Sequence, residues 1–371
     1  MDVATAEPKK LEDWDDIINS IQEEKCILFV GPESVMKSQG VPYHQELVKS
    51  PGFQNNDYFK YIPRDEMFLL SQNFYRGKLV SRFKNYCAQN AFYDDTYKKI
   101  AAIPFHTIIA VTRYPFLVES FKNNNINFQH RWFSKIFDKS KTEEDIDAPS
   151  GELPLVYNLF GKFDIDESLL LTHNDLFDYL TKLLSDNAIP TKLKEIVKSS
   201  NEIIFLGFKF ERWYVQLLLR LFELHDLNAQ FERISLISGD DEDILSICET
   251  DFKMNFIEDN IDSFVSTLYD KCSAAGLHLR ISPVAAGVSP ELNEFNTLLK
   301  NNLFDEALTR LQTFEITNKL DDKVTQLTGN WNSIKQNKIA GVYSADDIIL
   351  ETNKFRQQMQ AAIEDDMDQI K

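Results

Sequence analysis

No two of the four cysteines, Cys26, Cys87, Cys248 and Cys272, form a CxxC pair. Zinc and dithiol chemistry therefore lack their usual spacing, and Cys26 and Cys248 sit in apolar stretches where a thiol behaves as a small hydrophobe. The six histidines, His44, His106, His130, His173, His225 and His278, show no HExxH or paired-ligand spacing either. No metal site is expected. No apolar run approaches the ~20 residues of a membrane span. The opening residues, Met1 to Glu7, offer neither a basic n-region nor an apolar h-region, so the reading is a cytoplasmic protein without a signal peptide. Basic residues are the scarcer charge, 40 Lys and Arg against 58 Asp and Glu, for a formal net charge of −18. Phosphate-backbone binding rests on basic side chains, so this balance disfavours a nucleic-acid partner.

The composition is otherwise ordinary for a globular chain, 43% hydrophobic and 26% charged over 371 residues, and that length favours two domains. Residues 11–24 carry apolar side chains at helical spacing and run into Cys26-Ile27-Leu28-Phe29-Val30, a solid apolar run. Such a run reads as a strand buried on both faces. Further buried strands are expected over 107–111, 203–206, 234–237 and 254–257, with others over 155–159 and 169–171. Helices are expected over 98–103, 115–122, 175–184 and 213–224, the last apolar almost all round and so deeply packed. Residues 123–125 and 139–151 read as loops. Strands alternating with helices predict a Rossmann-like, doubly wound parallel sheet over 1–282. Ser282 to Pro290, with two prolines and a glycine among small residues, reads as a linker over 283–290. Beyond it, 291–371 shows only helical patterns, over 291–300, 304–313, 319–336 and 345–363, and predicts a small all-helical bundle.

A strand ending in glycine at the start of an α/β sheet is where such folds hold phosphates, on the turn's amides and the next helix's N-terminus. Here the turn reads Gly31-Pro32-Glu33-Ser34. Pro32 has no N–H, and Glu33 brings a negative charge.

The wider set of segments is more specific. Phe29-Val30-Gly31 resembles the first glycine turn of the sirtuin-like family, and Ile103 to Thr112 resembles its second strand. Val156-Tyr157-Asn158-Leu159-Phe160-Gly161 and Glu167 to Thr172 resemble the segment that carries the family histidine. Ile203 to Gly207, then Phe208 to Trp213, is similar to its late glycine-ended strand. The match is to the bacterial sirtuin-like domains of defence systems, whose active members bind and hydrolyse NAD. The resemblance implies a site for NAD or a related nucleotide at Gly31, Glu33, Ser34, Arg113, Asn158 and Gly207. It also implies no catalytic residue, because the family asparagine falls at Arg113 and the family histidine at Phe160. The family aspartates fall at Pro115 and Arg212. Phenylalanine can accept no proton; Asn158 and His173 are the substitutes nearest in sequence, and His173 reads better as the border of the helix at Asp175.

The helical part also carries a resemblance. Phe304-Asp305-Glu306-Ala307-Leu308-Thr309-Arg310-Leu311, then Leu327 to Lys335, Gly341 to Ser344 and Ile349 to Arg356 are similar to bacterial effector-associated domains. These are small helical adaptors that pair like with like. The resemblance implies a defence-system partner bearing a similar module, and is compatible with a homo-oligomer. Phe304 and Tyr343 are the expected partner-facing aromatics. Two functions follow as expectations: a scaffold, adaptor or nucleotide sensor in an antiviral system, or an NAD-hydrolysing effector.

Overall fold

The computed structural model describes residues 11, 14–37, 41–54, 57–90, 95–133, 146–186, 189–225, 232–236, 242–277, 279–280, 295, 298–299, 304–318, 320, 323–340, 342–343, 351–352, 354–356, 358–363 and 366. The chain divides into two units, Met1–Ser282 and Pro283–Lys371.

The strands of the first unit are β1 (Cys26–Val30), β2 (Met36–Lys37), β3 (Val41–Pro42), β4 (Phe59–Ile62), β5 (Met67–Leu70) and β6 (Thr107–Ala110). They continue as β7 (Gln129–Trp132), β8 (Leu155–Asn158), β9 (Glu202–Leu206), β10 (Glu232–Leu236) and β11 (Met254–Ile257). Its helices are α1 (Trp14–Gln22), α2 (Tyr43–Lys49), α3 (Arg76–Gln89), α4 (Asp95–Ala102) and α5 (Phe116–Asn123). After them come α6 (His173–Asp186), α7 (Thr191–Lys198), α8 (Trp213–Leu221), α9 (Glu242–Phe252) and α10 (Ile261–Ala274).

Seven strands form one sheet in the order β11-β10-β9-β1-β6-β8-β7, and every pairing in it is parallel. Apart from 169–171, the strands expected from their apolar runs all lie in it, because parallel strands are covered by helices on both faces. Side chains of β1 divide accordingly: Leu28 and Val30 join one core, Ile27 and Phe29 the other. Register then fixes where the turns fall. Val30 lies beside Ala110 and Leu206, and Ala110 beside Asn158. The residues that follow β1, β6, β8 and β9 therefore emerge level at one edge. From β1 the chain builds one half of the sheet, then returns to place β9 on the other side of β1. That reversal leaves a crevice at the carboxyl ends of β1 and β9, where open α/β sheets bind ligands.

Between β1 and β6 the chain inserts two antiparallel hairpins, β2 with β3 and β4 with β5, together with α2 and α3. These were not expected from the sequence, and neither was β7, whose residues Gln-His-Arg-Trp are largely polar because it is an edge strand. Residues 169–171 correct the expectation of a strand. They are buried, but the segment's one bridge joins Phe68 with Thr172, and Leu171 O accepts from Phe68 N at 2.9 Å. The segment backs the β4–β5 hairpin rather than extending the sheet. Helix α8 is also less enclosed than its composition suggests, since Trp213 is 38% exposed. Residues 139–145 and 237 lie outside the described residues. No helix among the described residues is long and apolar enough to cross a membrane. All four cysteines are buried and none is in a disulfide.

The parallel register also sets two acids side by side. Glu202 opens β9 directly opposite Glu232 of β10, and its Oε2 is buried without a hydrogen-bond partner among the described residues. Burial, then Glu232 and Asp16, pushes its carboxyl up to about 7. A carboxyl raised in the folded state binds its proton more tightly there than in the unfolded chain. Its charge therefore costs stability above pH 7, and the cost fades as pH falls toward the ordinary glutamate range. Each tenfold change in proton affinity is worth about 1.4 kcal/mol. Glu202→Gln should therefore raise stability at pH 8 by about 1–3 kcal/mol and change little near pH 4.5. Thermal melts of both proteins across that range check it; a pH-independent difference would refute it.

The second unit contains α11 (Phe304–Asn318) and α12 (Val324–Ile339), with helical residues at 351–352, 354–356 and 358–363. Its core gathers Phe295, Leu299, Phe304, Ala307, Leu311, Leu327, Ile334, Phe355, Met359 and Ile363. Helix α12 starts at Val324, later than the expected 319, because the buried Glu315 carboxylate accepts from the amides of Lys323 and Val324. A carboxylate there satisfies amides that no helical carbonyl can reach. The linker 283–290 and Ile349 lie outside the described residues.

Candidate functional site

The turn after β1 spends every amide it has on its own backbone and on the turn after β9. Gly31 N donates to Leu206 O at 2.8 Å, Glu33 N to Gly207 O at 3.0 Å and Ser34 N to Gly31 O at 3.2 Å. Pro32 has no amide hydrogen to give. The Ser34 hydroxyl lies 2.9 Å from the Tyr97 hydroxyl and also donates to Gly31 O. The two glycines serve this closure. A Cβ on Gly31 would stand 2.3 Å from Gly207 O, and one on Gly207 would stand 2.2 Å from Ser34 N. Gly207 also holds φ +71°, a conformation that favours glycine. The turns after β1 and β9 thus pack on each other, where a ligand's backbone-binding site would otherwise open.

Glu33 then points into the crevice, only 3% exposed, and meets charges from three other parts of the chain. Arg212, the residue before α8, donates through Nη2 to Glu33 Oε1 and to Glu66 Oε1, each at 2.6 Å. Glu66 comes from the turn of the β4–β5 hairpin, where it holds φ +52°. Its own carbonyl accepts from Arg113 Nη1 at 2.5 Å, which ties the end of β6 to the hairpin. His44 of α2 places Nδ1 3.2 Å from Glu66 Oε1 and 3.8 Å from Glu33 Oε2. Lys209 Nζ lies 3.9 Å from Glu33 Oε1, with about a third of its side chain exposed. Burial raises the Glu33 carboxyl, and neighbouring Glu66 raises it further, against the pull of His44 and Arg212. Burial also lowers His44 to about 4, so its imidazole is neutral at pH 7.

Glu33, His44 and Glu66 hold donor atoms within 4.8 Å of one another, close enough for a metal ion. The Arg212 guanidinium already stands against both carboxylates and supplies their counter-charge. A cation would have to displace it.

Several polar atoms at this edge have no hydrogen-bond partner among the described residues. They include Arg212 Nε and Nη1, Arg113 Nη2, His44 Nδ1, Asn158 Oδ1 and the Tyr61 hydroxyl. Phe160 is fully buried, and its ring meets Tyr179 and Tyr214, each at 6.1 Å between centroids. It is a packing residue. His173 opens α6 with Nε2 3.4 Å from Asp65 Oδ2. Beside it Thr172 and Asp175 cap the helix reciprocally: Asp175 N donates to Thr172 Oγ1 at 3.0 Å, and Thr172 N to Asp175 Oδ2 at 3.1 Å.

Of the residues expected at a nucleotide site, Gly31, Glu33, Ser34, Arg113, Asn158 and Gly207 do share one sheet edge. The glycine turn itself does not fit a pyrophosphate: it has no amide to offer, and a buried carboxylate occupies its mouth. Sequence reasoning missed Glu66, His44 and Tyr61, which come from the insertion, and missed Arg212 as their partner.

Residues 115–259 match the family model for the SIR2-like domain, and residues 290–365 that for effector-associated domain 11. The chain carries a SIR2-like domain followed by an effector-associated domain. No curated protein matches it. The SIR2-like match includes Asn158, Phe160, Gly207 and Arg212, and begins after Gly31, Glu33 and Arg113. SIR2-like domains generally bind NAD. The pairing with an effector-associated domain points to a protein of a defence or conflict system.

In the effector-associated domain, Phe304 corrects an expectation. It is 1% exposed, packed on Trp331 at 4.7 Å and Phe355 at 5.4 Å between ring centroids. It belongs to the module's core rather than to its surface. Tyr343 is half-buried. The exposed apolar residues beside it are Ile339 and Val342.

Proposed function

We propose that the SIR2-like domain of this chain is a scaffold without NAD-hydrolysing activity, joined to its partner in a conflict system through the effector-associated domain. One observation carries the reading: the glycine turn is closed on itself, its amides bonded to its own backbone and to the turn after β9. Phe160 supports it, since a phenylalanine packed among tyrosines supplies no general base, and such a loss costs about 10²–10⁴-fold in rate. On the helical side, Ile339, Val342 and Tyr343 are the surface that fits a like-with-like partner, because apolar residues left outside a small core mark an interface.

The test is direct. The full-length chain, at micromolar concentration, is titrated with NAD by calorimetry and then incubated with NAD while the dinucleotide is followed by chromatography. The expected result is no saturable heat and no loss of NAD above the buffer control. NAD turnover that disappears in Asn158→Ala would overturn the proposal and restore the effector reading.

A further inference from the structure

We propose that Arg113 and Arg212 form a binding site for a phosphate oxyanion at the carboxyl edge of the sheet. The starting point is a hydrogen-bond count. Arg212 uses only Nη2, and Arg113 only Nη1. Arg212 Nε and Nη1 and Arg113 Nη2 lack partners among the described residues, and together carry five N–H groups. Both side chains are at least 95% buried. A buried donor left unsatisfied is costly, so five on two side chains that both bond Glu66 call for an occupant.

Both arginines reach the same residue: Arg113 donates to the Glu66 carbonyl and Arg212 to its carboxylate. The Tyr214 hydroxyl, itself buried, stands against the Arg212 guanidinium and feels Glu66 and Arg113. The Tyr61 hydroxyl, unpartnered among the described residues, feels Glu66, Arg113, Arg212 and Glu33. Asn158 ends β8 beside the strand that leads to Arg113. Lys209 and His44, both partly exposed, border the cluster toward solvent.

The chemistry of the unused groups selects the ligand. They are mainly donors, and the donors of a guanidinium repel a metal ion rather than bind it. Guanidinium forks match planar or tetrahedral oxyanions through paired bonds. A carboxylate has about four acceptor sites, fewer than the five N–H groups and two hydroxyls present. A phosphate, with its additional oxygen atoms, fits that number better. Charge permits it: Arg113, Arg212 and Lys209 stand against Glu33 and Glu66. The phosphate could be free or the terminal group of a mononucleotide. The proposal rests on the reading that the glycine turn takes no dinucleotide, yet the two fail separately. NAD turnover would refute that reading, and phosphate titration tests this one.

The full-length chain in phosphate-free buffer is titrated with inorganic phosphate and, in a second arm, with adenosine monophosphate. Saturable heat in either arm is expected, about tenfold weaker in Arg113→Lys and Tyr214→Phe. Tighter binding of the nucleotide assigns that source; equal or tighter binding of inorganic phosphate assigns the free ion. Should a variant fold poorly, hydrogen exchange of the wild-type chain replaces it, with slower exchange at 61–68 and 207–216 expected on adding phosphate. No saturable binding in either arm, binding unchanged in both folded variants, or exchange unaltered at those segments would overturn the site.

Discussion

Arg212→Ala should destabilise the SIR2-like domain by about 3–5 kcal/mol, the cost of breaking a buried charge pair from one side. The guanidinium is the nearest counter-charge to two carboxylates that are each no more than 3% exposed. Removing it leaves Glu33 and Glu66 to repel each other where water cannot screen them. In a domain of this size such a loss lowers Tm by roughly 10 °C. The penalty should shrink on acidification. Burial and the neighbouring Glu66 already raise the Glu33 carboxyl; losing Arg212 raises it further, and once protonated it no longer needs a cation. Arg212→Met combined with Glu33→Gln and Glu66→Gln should recover most of the stability, since a buried ion pair replaced as a whole costs little. Urea denaturation at pH 7.5 and pH 5 measures all of this. A single-variant loss below ~1 kcal/mol, or one that does not depend on pH, would mean the cluster is solvated.

Phe304→Ala should be as damaging in the helical unit, at about 3–5 kcal/mol for truncating a core aromatic. Its ring touches Trp331 and Phe355, which stack on each other at 5.1 Å between centroids. Truncation therefore opens a void at the centre of the cluster rather than trimming its edge. So small a helical unit has little stability to spare, so its transition should move well below that of the wild type. Tyr343→Ala, at a half-buried position, should cost less than ~1 kcal/mol. Hydrogen exchange of the full-length variants over 304–318 and 324–339 separates the outcomes. Exchange in Phe304→Ala that matches the wild type would return Phe304 to the surface.

The parallel sheet was legible because burial on both faces leaves unbroken apolar runs such as Ile203 to Leu206. The same logic hid β7, which is an edge strand and needs no such run. It also misread residues 169–171, which are apolar because they lie under a hairpin. At the site, the glycines that end β1 and β9 were readable as turns, but their role was not. Gly31 and Gly207 serve each other, and only the register of two strands far apart in the chain reveals it. Glu66 was invisible for a related reason. A single acid in a hairpin turn carries no periodic signal, and its partner Arg212 is 146 residues away. Arg113, Phe160 and Arg212 stood out only as departures from a family pattern, and the structure gives each departure a physical partner.

A single nitrogen, Arg212 Nη2, touches carboxylates from two separate segments while its own backbone leads into α8. Three segments far apart in the chain, the β1 turn, the inserted hairpin and the start of α8, are thereby joined at one point. None of them can swing outward alone, because the others would be left holding an uncompensated charge. The three segments are therefore expected to open as one cooperative unit rather than singly.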